Sequence, residues 1–122
     1  MAARPKLRLD MHTHTEHSPD SRLRLGRFAE RARDVGLGAV CVTDHNTIDG
    51  ALRLRELDPG FRVVVGEEIY SADGEIVGLF LEEAVPPHLP AAETMDRIHA
   101  QGGLVYIPHP FSRNRLRHLR LE

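Results

Sequence analysis

The sequence predicts one α/β domain over residues 1–122, built on a mainly parallel sheet, and three observations lead to this class. Predicted strands and helices alternate along most of the chain. Residues 39–43 are apolar or β-branched throughout, which is typical of a strand covered on both faces in a parallel sheet. Side chains able to bind metal follow four predicted strands, and the carboxyl ends of parallel strands are where such folds build their sites.

The first half of the chain alternates strand, helix and strand. Polar and apolar residues alternate over residues 6–11, which predicts the first strand. A helix is expected over about residues 21–35, with Ser21 as a cap and Gly36 as a stop. Its apolar residues recur at the spacing of a helix face: Leu25, Phe28, Ala29 and Ala32. The second strand then follows at residues 39–43, and Cys41 inside it is expected to be a buried small hydrophobe.

The second half departs from strict alternation at one place. A helix capped by Asn46 or Thr47 leads to a third strand at residues 62–65. Residues 70–74 then form a turn and residues 75–81 an apolar run, which together predict a hairpin. The last helix is expected at residues 91–101, with Met95 and Ile98 facing inward, and the last strand at residues 104–107.

Composition excludes several classes of function. The net charge of −2 gives no basic field for binding nucleic acid. No apolar run approaches the roughly 18 residues of a membrane span, and residues 1–6 lack the apolar stretch of a secretory signal. The sequence therefore predicts a cytoplasmic protein without a membrane partner.

Metal-ligand residue types are concentrated at the predicted strand ends. His12 and His14 share one face of the first strand at a separation of about 6.6 Å along the chain, so both can bind a single ion. Further donors follow in the turn and at the later strands: Asp20, Asp44, His45, Glu67 or Glu68, Glu75 and His109. Because these positions would converge at one sheet edge, the sequence predicts a site for more than one metal ion.

Four short motifs, in order, resemble the PHP domain family, named for polymerase and histidinol phosphatase. They are Asp10-Met11-His12-Thr13-His14 with Ser18 and Asp20, Thr43-Asp44-His45-Asn46-Thr47, Gly66-Glu67-Glu68-Ile69, and Pro108-His109-Pro110-Phe111. The resemblance implies a distorted, TIM-like β/α barrel that binds up to three divalent metals and hydrolyses phosphate esters. About the first half of that barrel is expected here, comprising four parallel strands, a hairpin strand and three helices. The resemblance also implies that the domain is incomplete at its C-terminus.

The resemblance also implies a ligand set. His12 and His14 would bind one metal, Glu68 would bridge to a second metal that takes His109, and Asp20 with His45 would bind the third. Glu68 is preferred to Glu67 because the family's carboxylate stands two residues after the glycine. Glu75 stands where many members have a histidine, and as an oxygen ligand it would favour manganese or iron over zinc.

The function that the resemblance implies is that of a metal-dependent phosphoesterase, and a hydroxide bridging two metals is the mechanism that fits these ligands for hydrolysis of mono- or diesters. Two or three Mn, Zn or Fe ions are expected in a complete domain. Asp44 would orient a ligand or water, and Arg113 would contact the phosphate of a small-molecule or nucleotide substrate. The alternatives are a non-catalytic metal-binding fragment and, less favoured because Lys6 is the single lysine, an amidohydrolase.

The chain's length implies two further expectations. The strand at residues 104–107 would be an uncovered apolar edge, so self-association through the sheet edge is expected. With Asp44 assigned an orienting role, seven candidate ligands are left: His12, His14, Asp20, His45, Glu68, Glu75 and His109. Seven are too few for three metals, so at most two should be held well and hydrolysis should be poor.

Overall fold

The computed structural model describes residues 6–17 and 24–110, and these form five strands and three helices. These described residues contain every predicted site residue except Asp20 and Arg113, which lie outside them. In chain order the elements are β1 (Leu9–Thr13), α1 (Leu25–Asp34), β2 (Ala39–Val42), α2 (Asp49–Glu56), β3 (Arg62–Ser71), β4 (Gly74–Leu79), α3 (Ala91–Ala100) and β5 (Leu104–Tyr106).

The five strands form one sheet in the order β1-β2-β3-β4-β5, and its strand directions are mixed. β1 pairs with β2 and β2 with β3 in parallel, whereas β3–β4 and β4–β5 are antiparallel. The expectation of four parallel strands was therefore wrong, because the hairpin strand β4 lies between β3 and β5 instead of at the side of the sheet. Two successive antiparallel pairings also return the carboxyl end of β5 to the same edge as the ends of β1 and β2.

β3 is a single strand of 10 residues that serves two parts of the sheet. Its first four residues pair with β2, and the segment from Gly66 to Ser71 pairs with β4. A two-residue loop joins Ser71 to Gly74, where Ser71 Oγ donates to Gly74 O at 2.6 Å. The hairpin is thus confirmed, but Glu67 and Glu68 lie inside β3 and not at the end of a strand, and Tyr70 is in the strand and not in the turn.

The helices α1 and α3 pack on the core through the faces that their periodicity predicted. The buried residues of α1 are Leu25, Phe28, Ala29 and Ala32. All four residues of β2 are buried, Cys41 among them. Ile98 of α3 is fully buried and Met95 packs against the same core. Burying each large apolar side chain contributes about 1.5–3 kcal/mol, so these faces fix the helices on the sheet.

A second, smaller apolar cluster is formed by Cys41, Val64, Val77, Leu79 and the partly buried Tyr106. Tyr106 of β5 donates a hydrogen bond to the main chain of β1 at 3.1 Å, so the sheet is curled into a half-barrel. Among the described residues, no helix is both long enough and apolar enough to cross a membrane.

Candidate metal centre

β1 delivers two histidines, but not by regular alternation. Its register against β2 shifts between Asp10 and Thr13, so the regular alternation of faces is interrupted in this segment. His12 and His14 nevertheless both lie against the Glu68 carboxylate. Thr13 fixes the local geometry, since its hydroxyl donates to Cys41 O at 2.8 Å and its carbonyl accepts from Thr43 N at 2.8 Å. The rings of His12 and His14 lie edge to face, with centroids 5.0 Å apart.

Five predicted ligands come together in two groups of three. His12, Glu68 and His109 form one group, and His14, His45 and Glu68 form the other. Within each group the three candidate ligand atoms lie within 4.8 Å of one another. Imidazole nitrogens with a carboxylate oxygen are a donor set that suits zinc, iron and manganese, so both groups fit a divalent ion.

The carboxylate of Glu68 is shared by the two groups. Its Oε2 lies 2.7 Å from His12 Nε2, whereas its Oε1 lies 3.1 Å from His45 Nδ1 and 3.8 Å from His14 Nε2. One oxygen thus faces each group. This is the arrangement of a bridging ligand, and the bridging role itself stays a prediction. The grouping differs from the predicted ligand set, because His12 lies with His109 and not with His14. His14 lies instead with His45, which was expected to bind a third metal with Asp20.

The ionisation of Glu68 suits metal binding. Its side chain is 1% exposed, and burial by itself raises the pKa of the carboxyl. The hydrogen bond from His12 and the positive charges of His12, His45 and His14 outweigh burial, so the pKa lies below its ordinary value. Glu68 is therefore a carboxylate near neutral pH and can act as a ligand.

Glu67, the neighbouring candidate, points to the opposite face of β3. It is fully buried, and its Oε1 accepts a hydrogen bond from Val85 N at 2.8 Å. Burial raises the pKa of Glu67 to about 7, although the hydrogen bond from Val85 acts in the opposite direction. The structure therefore brings Glu68, and not Glu67, to the histidines.

His109 completes the first group from the segment after β5. It is half-buried, its ring centroid lies 5.6 Å from that of His12, and its φ is 52°. A residue with a β-carbon loses roughly 1–2 kcal/mol in this left-handed region, and such strain is concentrated at functional sites.

Asp44 belongs to neither group, although it adjoins His45. Its Oδ1 accepts from Thr15 N at 2.6 Å and its Oδ2 from the Thr15 hydroxyl at 2.5 Å, and all of these groups are buried. Asp44 therefore joins the end of β2 to the residue after His14. This contact suits the predicted orienting role, which stays a prediction.

Glu75 shares a face with Glu68 but lies outside both groups. Glu75 pairs with Tyr70 in the β3–β4 ladder, and Val77, two residues further along β4, pairs with Glu68. Alternate residues of a strand lie on the same face, so Glu75 and Glu68 share one. Glu75 is 5% exposed. Its role as a ligand therefore stays a prediction, as do those of Asp20 and Arg113, for which no contacts are described.

Sequence reasoning missed several residues that hold the ligands in place. Asn46 or Thr47 was expected to cap α2, but Ile48 occupies the N-cap position of this helix. Asn46 instead has a φ of 56°, and its side chain accepts from Tyr70 N at 2.9 Å. Thr15 and Gly50 were not predicted. The only sequence signal for Gly50 was its place in a helix, where glycine lowers stability relative to alanine.

The fold and the site together define an α/β protein with a candidate metal centre of two groups at one edge of its sheet. The PHP domain model matches residues 10–104, which is most of the chain. The chain belongs to the PHP domain family, as its motifs indicated.

Known relatives are longer than this chain. Two uncharacterized proteins of Methanocaldococcus jannaschii are similar to it: one is 39% identical over 118 residues (87% of this chain and 69% of that protein), and the other is 36% identical over 116 residues (93% and 44%). A crystal structure from Bifidobacterium adolescentis, titled "putative metal-dependent phosphoesterase", matches with a TM-score of 0.54 and 28% identity, over 62% of this chain and 28% of that one. The chain thus spans less than half the length of two of these three proteins.

Proposed function

We propose that this chain forms the metal-binding part of a metal-dependent phosphoesterase. The observation that carries the proposal is the shared Glu68, whose two oxygens face two separate histidine groups. Enzymes that hydrolyse phosphate esters often hold two ions close together in this way. Divalent ions bound here would lower the pKa of a water molecule and offset charge on the phosphoryl oxygens. The named activity of the Bifidobacterium protein supports the same class of reaction.

In the proposed site, residues of this chain supply negative charge to the ions and fix the positions of the ligands. Glu68 contributes its negative charge to both groups, and the hydrogen bonds of Asp44 to Thr15 fix the segment that carries His14. Mn, Zn or Fe is the ion we expect, and a small phosphate ester or nucleotide the substrate. Arg113 is the residue that we propose to contact the phosphate.

Purified chain reconstituted separately with manganese, zinc or iron is expected to retain close to two ions, because two groups of donors are present. Elemental analysis after desalting measures this. Hydrolysis of p-nitrophenyl phosphate and of its bis-ester is expected to be detectable but slower than about 1 per second, the low end of ordinary turnover. A chain that binds no metal would contradict the proposal.

The same experiment separates the alternatives. Metal binding without hydrolysis of either ester would favour a non-catalytic metal-binding domain. Hydrolysis of an amide substrate in preference to both esters would favour an amidohydrolase, which the single lysine of the chain, Lys6, argues against. A turnover well above 1 per second would show that these residues complete the active site by themselves.

We also propose that a second copy of the chain covers the open side of the half-barrel. In the described part of the chain, β1 and β5 are each paired on one side only. Apolar residues are exposed along these two strands: Leu9 at 46%, Met11 at 49% and Leu104 at 58%. Because the net charge is only −2, repulsion between copies is small.

Light scattering is therefore expected to show a dimer or a larger species. Leu9→Lys should shift it towards monomer, because a charge on an edge strand opposes edge pairing. Leu57→Lys is the matched control, since Leu57 is 57% exposed at the end of α2 and should leave the mass unchanged. A wild-type monomer at all concentrations would refute this proposal.

A further inference from the structure

The two histidine groups differ in how the sheet supports them. His14, His45 and Glu68 come from or beside β1, β2 and β3, which are neighbours. Main-chain hydrogen bonds continue this ladder past β2, since Glu68 N donates to Asp44 O at 3.0 Å and Asn46 N donates to Glu68 O at 3.1 Å. The second group is therefore fixed by strand pairing.

The first group has no such support from the ladder. His12 is on β1 and His109 follows β5, and these two strands are the opposite ends of the sheet order and do not pair with each other. The two rings nevertheless lie with centroids 5.6 Å apart. Some other contact must hold the two ends of the curled sheet at this distance.

Tyr106 makes a contact of this kind. Its hydroxyl donates to Met11 O at 3.1 Å, across 95 residues of sequence. That carbonyl belongs to the peptide bond immediately before His12, and Tyr106 itself is three residues before His109. The Tyr106 ring packs in the small apolar cluster with Cys41 and Val77, and its centroid lies 6.2 Å from that of His12.

We propose that Tyr106 is a positioning residue of the metal centre, which holds His12 and His109 together by linking β5 to the peptide that carries His12. The inference rests on the proposed metal centre. The Tyr106 ring packs in the apolar cluster, whereas its hydroxyl fixes the position of the Met11 carbonyl. The two contacts differ because a hydrogen bond is directional and apolar contact is not. Burial, followed by the charge of Glu68, raises the pKa of Tyr106, so the phenol remains a donor throughout the neutral range.

Tyr106→Phe tests the role of the hydroxyl, because it keeps the ring and removes only the donor. Zinc is titrated into the whole chain while the histidine ring signals are followed by NMR, which reports each group separately. We expect zinc affinity at the His12–His109 group to fall about 10-fold, the lower end of the usual effect of a residue that supports a ligand. Affinity at the His14–His45 group should not change.

Tyr70→Phe is the matched control, since the Tyr70 ring lies beside the other group, with its centroid 4.9 Å from that of His45. It should leave zinc binding at the His12–His109 group unchanged. Unchanged binding at both groups in Tyr106→Phe would overturn the proposal. Equal weakening at both groups together with a lower melting temperature would also overturn it, because that result indicates a general structural role.

Amide exchange in the metal-free chain keeps the inference distinct from the proposed function. Tyr106→Phe should increase exchange in β1 and in residues 104–110 and leave α2 unchanged, because the link between the two sheet ends is lost. If the wild-type chain binds neither manganese, zinc nor iron, the proposed function fails, and this exchange difference alone decides the inference. No difference in exchange would overturn it.

Discussion

Glu68→Gln is expected to remove both metal ions at once. The two oxygens of Glu68 face different histidine groups, so a single substitution changes a ligand in each. Glutamine keeps the size of the side chain but has no charge, and it replaces one acceptor oxygen by an NH₂ donor. Because loss of a residue that merely supports a ligand costs about 10–100-fold in metal affinity, we expect at least about 100-fold at both groups.

Zinc or manganese titration monitored by calorimetry, with elemental analysis after desalting, measures the effect of Glu68→Gln. Any hydrolysis of the bis-ester should fall with the loss of metal. Glu82→Gln is the matched control, since it makes the same change of charge at an exposed residue outside both groups. If Glu68→Gln retained one ion at unchanged affinity, Glu68 would not be the shared ligand.

Gly50→Ala is expected to destabilise the chain although it lies outside the metal groups. A β-carbon on Gly50 would overlap the carboxylate of Asp44 and the hydroxyl of Thr15. These two groups are hydrogen-bonded to each other and buried, so neither can move aside without breaking that contact. Overpacking of this kind costs typically about 1–3 kcal/mol, and we expect the upper part of that range.

Gly26→Ala provides a closely matched control. Gly26 and Gly50 are each the second residue of a helix, but a β-carbon on Gly26 would meet nothing within 4 Å. Gly26→Ala should therefore stabilise the chain by roughly 0.5–1 kcal/mol, which is the ordinary gain of alanine over glycine in a helix. Urea unfolding measures both variants, and changes of the same sign would contradict the proposed overlap.

The Asp44–Thr15 contact, which Gly50→Ala would displace, also connects Gly50 to the metal centre. Thr15 follows His14, so a shift of Thr15 would move a ligand of the second group and leave the first group in place. We expect Gly50→Ala to weaken zinc binding at the His14–His45 group more than at the His12–His109 group. This pattern is the reverse of that expected for Tyr106→Phe, and the same NMR titration measures both.

Much of the secondary structure follows from local sequence. The spacing of Phe28, Ala29 and Ala32 predicted the buried face of α1, and the apolar run at residues 39–43 predicted a strand that is buried on both faces. These predictions held because the periodicity of a helix or strand directly encodes which side chains meet the core. The residues that form the two metal groups were all among the predicted ligands, because each lies in a short motif with a metal-binding side chain.

Only the tertiary structure decided how these parts are combined. The sequence predicted the hairpin, but the place of β4 between β3 and β5 depends on which strand edges find each other. The division of the ligands into two groups depends on the orientation of the Glu68 carboxylate. The contacts of Asp44 with Thr15 and of Tyr106 with Met11 join residues 29 and 95 positions apart. Local sequence determines which face of each element is buried, whereas contacts at such separations arise only when whole elements pack together, and it is these contacts that position the ligands.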